Sequence, residues 1–173
     1  ILDDNTRQLL DTAIINPEVQ IDFMDFLASI RVQDKITLLN SFGQDFSDDE
    51  LRILWEHKED PLVRMILIMC YSGFRWSAYL TMETNLEEGY FRGGVKTKAG
   101  KNRIVPIHSA ISPLVEAVLK DGGYHCGLNQ WAFIRAMHAK MSELGIDAGE
   151  RHHTPHSCRH TFSRLCESFG VRE

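Results

Sequence analysis

Toward its C-terminus the chain reads Thr154-Pro155-His156-Ser157-Cys158-Arg159-His160-Thr161-Phe162, a run of imidazoles around a guanidinium whose spacing suits anion binding. Thr154 has the chemistry of an N-cap, and Pro155 fits the first helical position, where its missing N–H would be unpaired in any case. On such a helix His156, Arg159 and His160 stand three and four residues apart and share one face. A helix start also offers free backbone N–H groups and the positive end of the macrodipole. Arg159 adds a planar fork that can hold two oxygens of one phosphate. Taken alone, the string is equally compatible with an ordinary polar helix start.

Two more stretches present basic groups in settings that fix them. Asp60-Pro61 reads as an N-cap and first helical residue, and the apolar residues of 62–70 predict a helix buried nearly all round. Gly73 supplies its left-handed stop, so Arg75, in Ser72-Gly73-Phe74-Arg75-Trp76-Ser77-Ala78, leaves the end of a core helix. Downstream, Val95-Lys96-Thr97-Lys98 forms an alternating strand, Gly100 a turn, and Arg103-Ile104-Val105-Pro106 a second strand. This predicts a hairpin, with Gly89-Tyr90-Phe91-Arg92 as the third strand of a small sheet. Lys98 lies at the hairpin tip, where a flexible ammonium can swing into a neighbouring site. Lys96, Lys98, Lys101 and Arg103 are also readable as a solvated edge that discourages sheet–sheet pairing.

In this order the three segments resemble the tyrosine recombinase (phage integrase) family. Ser72, Gly73, Arg75, Ser77 and Leu80 match its first-arginine motif, Lys98 its hairpin lysine, and His156 and Arg159 its His-x-x-Arg box. Ala78 departs from the pattern, which has an acid there, and Glu83 is a candidate to replace it. The resemblance covers residues 47–173 and opens at Ser47-Asp48-Asp49-Glu50-Leu51, a helix start with an acidic first turn. It implies a catalytic domain that recombines DNA site-specifically, integrating and excising mobile DNA by strand cleavage and rejoining through a 3′-phosphotyrosine. In that reading Arg75, Lys98, His156 and Arg159 are the catalytic residues. The two arginines clamp the scissile phosphate, His156 hydrogen-bonds it, and Lys98 protonates the leaving 5′-oxygen. Lys96, Lys101, Arg103 and His160 are expected to contact DNA, with Lys96 the fallback for the acid. No cofactor and no metal are implied. The nucleophilic tyrosine of the family lies farther beyond the box than the residues after Arg159 extend, so the chain is expected to be a C-terminally truncated catalytic domain, inactive for cleavage.

These groups need positioning elements, and the pattern supplies them. Apolar stripes predict helices at 111–119 and 129–144. Residues 1–45 read as amphipathic helices, a helical arm or linker before a catalytic domain at 46–173. The expected fold class is mainly α with a small antiparallel three-stranded β-sheet, an α+β domain like that of tyrosine recombinases.

The formal net charge is −5, at first sight unsuited to DNA. Residues 1–60 carry fourteen acidic against five basic residues, however, so the remainder is positive by four and holds seven of the eight histidines. Such asymmetry suits a protein with one face toward a polyanion. Double-stranded DNA is the expected partner, with self-association on DNA in the full-length protein and no membrane partner. The four cysteines form no Cys-x-x-Cys pair, which points to a reducing cytoplasm, and the resemblance implies a bacterial or phage-encoded, nucleoid-associated protein. His152, His153, His156, Cys158 and His160 are crowded enough to raise a zinc site, but Ser157 replaces the glutamate of a His-Glu-x-x-His motif, and Arg159 would repel a cation. A non-catalytic phosphate- or DNA-binding module and a type IB topoisomerase-like domain remain the alternatives.

Overall fold

The computed structural model describes residues 44–94, 102–124, 126–146 and 153–169, all within the unit spanning residues 42–173. The arm expected at 1–45 lies, but for its last two residues, outside the described residues, as do Lys96, Lys98 and Lys101.

Of the five α-helices among the described residues, four begin where a side chain accepts from their first N–H groups, and the one at Ser112–Lys120 has no such cap. Helix α1 (Asp48–Glu56) has a reciprocal cap: the Ser47 hydroxyl accepts from Glu50 N at 3.3 Å, and the Glu50 carboxylate accepts from Ser47 N at 2.7 Å. Helix α2 (Pro61–Ser72) starts on Asp60, whose Oδ1 accepts from Leu62 N at 2.8 Å and Val63 N at 3.2 Å. Residues Val63 to Cys70 of α2 are all buried, and α1, α3 (Ser112–Lys120), α4 (Gln130–Glu143) and α5 (Pro155–Ser168) all pack on it. Burying one such aliphatic side chain contributes about 1.5–3 kcal/mol, so α2 is the axis of the core. Its one buried charge, Arg64, is fully engaged: it meets Asp121 at 2.8 Å and the carbonyls of Lys58 and Glu59.

Gly73 ends α2 at φ 62°. The chain then folds back as a 3-10 turn, Trp76–Leu80, with Trp76, Ala78 and Tyr79 buried. The Ser72 hydroxyl donates to Ile68 O at 2.7 Å, so the 2.5 Å contact between Ser72 Oγ and Tyr79 Oη is donated by the phenol. That bond ties the turn to the last turn of α2.

The sheet is three-stranded, antiparallel and ordered β1 (Glu83–Asn85), β2 (Tyr90–Gly93), β3 (Arg103–Pro106). The domain is thus mainly helical with a small antiparallel sheet, as expected. Two of its strands are those the sequence reading placed there. The partner of Arg103–Pro106 is Tyr90–Gly93, with Phe91 opposite Val105 and Gly93 opposite Arg103, whereas the strand expected there, from Val95, lies outside the described residues. Glu83–Asn85, read as no strand at all, forms the far edge. Burial explains the pairing: Phe91 and Val105 fill the core face together, and Arg92 meets Glu83 at 3.1 Å across β1 and β2.

Helix α5 is held at both ends of its first three turns. Thr154 Oγ1 accepts from His156 N at 3.2 Å, and Ser157 Oγ accepts from Thr154 N at 3.1 Å. Farther along, Thr161 Oγ1 accepts from Phe46 N at 2.8 Å, while Arg164 donates to Phe46 O at 2.7 Å and pairs with Asp45 and Asp48. Among the described residues no helix is long and apolar enough to cross a membrane.

Candidate phosphate-binding site

The C-terminal end of α2 is where the basic groups meet. The carbonyl of Gly73, at the negative end of the α2 dipole, accepts from Arg159 Nη1 at 2.6 Å and from Arg103 Nη2 at 3.4 Å. Arg75 is two residues farther on, exposed, with extended backbone (φ −72°, ψ 150°) before the 3-10 turn. Arg159 is half-buried; His156 and His160, on the same face of α5, are exposed, with ring centroids 4.6 Å apart in a T-shaped contact.

Electrostatics link these groups. Desolvation pushes the His156 pKa below the ordinary histidine value, and the positive charges of His160, Arg75 and Arg159 lower it further. Arg75 and Arg159, one from the end of α2 and one from α5, therefore act on the same imidazole. His156, Arg159 and His160 share one face of α5, and the charge of Arg75 is felt at the His156 ring. Lys98, assigned as general acid, and Lys96 and Lys101 lie outside the described residues. Arg103 is not the solvated edge residue its strand suggested: it is half-buried, with its guanidinium carbon 4.7 Å from the centroid of the Phe74 ring.

No family model, curated protein or solved structure matches this chain. The chemistry of the cluster is therefore read from its own geometry. Among the described residues no carboxylate pairs with Arg75, His156 or Arg159, and guanidinium groups and imidazoles so grouped suit an anion with several acceptor oxygens, of which phosphate is the archetype.

The missing acid of the family pattern is resolved differently from expectation. Ala78 is buried, 2% exposed, so a carboxylate there would enter the core. Glu83 does not serve in its place: it holds Arg92 and accepts from the Tyr90 hydroxyl at 3.2 Å. The backbone of Arg75 is instead held between the Gly73 stop and the Trp76–Leu80 turn, whose Trp76, Ala78 and Tyr79 are buried. Ala78→Glu is accordingly expected to destabilise the fold, since an unpaired buried carboxylate costs several kcal/mol. A buried carboxyl has a raised pKa, so the deficit belongs to pH values above the unfolded value of ~4.3 and shrinks as protonation removes the charge. Thermal unfolding of the variant across pH reads this; an unchanged melting temperature at neutral pH would mean that the site accommodates the acid.

Two histidines from one crowded segment have separate fates. His153 is 1% exposed, stacks on Phe46 at 3.9 Å and meets Glu50 Oε1 at 3.2 Å. Burial pushes the Glu50 carboxyl up, but the Ser47 backbone and hydroxyl bonds, with His153, outweigh it and leave the pKa lowered. His153 is thus a core residue that braces the start of α5, a role the sequence did not signal. His156, three residues on, faces the cluster. Among the described residues no group of three His, Cys, Asp or Glu side chains is placed to hold a metal ion, and His152 lies outside them.

The four tyrosine hydroxyls all have other partners. Tyr71 accepts from Trp55 Nε1 at 3.2 Å, Tyr79 bonds Ser72, Tyr90 bonds Glu83, and Tyr124 lies 2.5 Å from Thr84 Oγ1. Burial raises the pKa of Tyr79 and of Tyr124, which opposes phenolate formation at either.

Proposed function

We propose that this chain is the phosphate-clamping part of a tyrosine recombinase-type catalytic domain, acting on double-stranded DNA. The observation that carries the reading is that Arg75, at the end of α2, and His156 and Arg159, on α5, come from two separately recognised segments and act at one place. In the reaction Arg75 and Arg159 hold the non-bridging oxygens of the scissile phosphodiester and stabilise the charge that grows on them in the transition state. His156 donates a hydrogen bond to the same phosphate. Lys98 protonates the 5′-oxygen as it leaves, while a tyrosine phenolate forms the new bond to phosphorus, so that the phosphodiester count is conserved and rejoining needs no external energy. The engagement of all four tyrosines elsewhere favours the second reading, a DNA-binding module without cleavage, for the chain by itself.

The test combines binding and trapping. Fluorescence anisotropy with a duplex oligonucleotide should show weak binding that falls steeply with salt, as phosphate contacts require, and a suicide substrate should give no covalent adduct. A trapped adduct would identify a nucleophile within these 173 residues; salt-independent binding, or none at low salt, would remove the phosphate clamp.

Proton linkage gives a further expected result. Desolvation, with the neighbouring cations, keeps His156 neutral to lower pH than an ordinary histidine, so the unfolded chain binds the proton more readily, and the His156 contribution to stability, present above the unfolded value of ~6.5, is lost as pH falls through the lower folded one. A phosphodiester beside the ring reverses the balance and raises the His156 pKa. Duplex binding should then take up a proton and tighten as pH falls from neutrality. NMR titration of the His156 ring with and without duplex measures the shift; an unchanged pKa would place the phosphate away from this imidazole.

A further inference from the structure

We infer that Thr161 and Arg164 are positioning residues of the phosphate site, acting through a strap of chain, Asp45-Phe46-Ser47, that sets α5 against the end of α2. The inference rests on the phosphate reading above. Neither residue shares the Arg159 side of the helix: at about 3.6 residues per turn, Thr161 stands nearly opposite Arg159 and Arg164 well away from it. What they hold is Phe46. Phe46 and Thr161 are both fully buried. The Phe46 N–H donates to Thr161 Oγ1 at 2.8 Å, and the Phe46 carbonyl accepts from Arg164 Nη2 at 2.7 Å. Both backbone polar groups of this buried residue thus have their partners on α5. A shift of α5 would orphan them, and an unpaired buried group is as unfavourable as a lost hydrogen bond.

Further contacts stiffen the strap. The Thr161 hydroxyl donates its own proton to Ser157 O at 2.9 Å, which leaves its lone pairs for Phe46. Arg164 pairs with Asp48 at 2.9 Å and with Asp45, acids on both sides of Phe46. The Phe46 ring stacks on His153 at 3.9 Å, and His153 meets Glu50 Oε1 at 3.2 Å, while the other oxygen of that carboxylate accepts from Ser47 N at 2.7 Å. The strap therefore grips α5 just ahead of its first turn, at His153, and again at Thr161 and Arg164. His156 and Arg159 lie between the two grips. On its Arg159 side the helix bears on α2: Arg159 donates to Gly73 O at 2.6 Å, and the Phe162 ring lies where a Gly73 Cβ would be. With α2 on one side and the strap on the other, α5 has one seat, and the Arg159 guanidinium is oriented before an anion arrives. A displacement of ~1 Å caused far from the reacting atoms can lower a rate by ~10², so the seat matters to the clamp.

The experiment titrates the full chain and its variants with inorganic phosphate at constant ionic strength, following Arg side-chain Nε–H and backbone amide resonances by NMR, and the wild type separately with a short duplex. Thr161→Val keeps the side-chain shape but removes the acceptor for the Phe46 N–H, Thr161→Ser keeps that acceptor, and Arg164→Gln removes the charge between Asp45 and Asp48. At a temperature where each variant is folded, Thr161→Val and Arg164→Gln are expected to bind phosphate on the order of three- to tenfold more weakly than the wild type, and Thr161→Ser to bind as the wild type does. The Arg159 Nε–H resonance of the unliganded protein should move in the two weakened variants and stay in place in Thr161→Ser, a signature that a purely stabilising role would not produce. The wild type serves even if a variant does not fold: because coupling is reciprocal, phosphate should shift the Phe46 amide and the Arg164 Nε–H along the Arg159 isotherm. Variants that melt earlier yet bind phosphate normally would overturn the inference and leave the clamp intact. So would a Phe46 amide and an Arg164 Nε–H that stay silent in the wild type while Arg159 responds. If Arg159 responds to neither phosphate nor duplex, the phosphate reading falls and this inference with it.

Discussion

Arg159→Lys is expected to lower strand cleavage by about 10²–10³ in a recombinase that joins this chain to a tyrosine nucleophile, the usual effect of losing one preorganised transition-state donor. The charge survives the change, but the geometry does not. Arg159 places Nη1 on Gly73 O at 2.6 Å, and that bond fixes the plane of the guanidinium so that its other edge is set before substrate arrives. A lysine ammonium is a single point on a flexible stem; it would have to choose between the carbonyl and the phosphate, and orientation is much of what an electrostatic clamp contributes. Single-turnover cleavage of a suicide substrate reads the effect, and a loss under tenfold would take Arg159 out of the clamp. Lys98→Ala provides the contrast. If Lys98 is the proton donor, a substrate with a 5′-bridging sulfur, which leaves without protonation, should restore much of the cleavage lost in that variant and none of that lost in Arg159→Ala. Equal rescue of both would refute the division of roles, and rescue of Lys96→Ala in place of Lys98→Ala would move the acid two residues back.

What the sequence disclosed and what it hid divide along one physical line. Caps and stops are local, set by residues within one turn of each other, and Ser47 with Glu50, Asp60 with Pro61, Gly73, and Thr154 with Pro155 each stand where local chemistry put them. The shared face of His156, Arg159 and His160 follows from helix geometry in the same way. Contacts between distant segments left no such mark. Arg103 and Arg159 reach Gly73 O across thirty and eighty-six positions, and nothing in the Phe74 neighbourhood announces that a guanidinium will stack on it. Strand β1 went unread for a related reason: Glu83-Thr84-Asn85 carries no apolar alternation, and it is a strand only through its pairing with Tyr90–Arg92. Glu83 illustrates the limit most directly. As an acid close in sequence to Arg75 it was a reasonable counter-charge, yet its strand turns it toward Arg92.

Gly73 should be the least replaceable residue of the site, although it contributes no side chain. Gly73→Ala combines two penalties. At φ 62° an L-residue is in the left-handed region, at a cost of roughly 1–2 kcal/mol. Its Cβ would also overlap the Phe162 ring, and overpacking of this kind typically costs about 1–3 kcal/mol. The sum is a large share of the ~5–15 kcal/mol that holds a domain folded. The two penalties can be separated. Gly73→Asn tolerates the left-handed conformation better than alanine but carries the same Cβ, so it should relieve little if Phe162 dominates. Gly73→Ala with Phe162→Leu should recover part of the steric loss and none of the conformational one. Denaturant unfolding of the single and double variants measures both. The functional consequence follows from the same geometry: a Cβ that pushes α5 away from α2 moves the Gly73 carbonyl from Arg159 and Arg103 together. Gly73→Ala that is folded should therefore bind duplex more weakly than the wild type at low salt, although no phosphate-contacting side chain has been altered. Undiminished stability and affinity in that variant would show that α5 can shift freely on α2, and that the shared carbonyl does not set the position of either guanidinium.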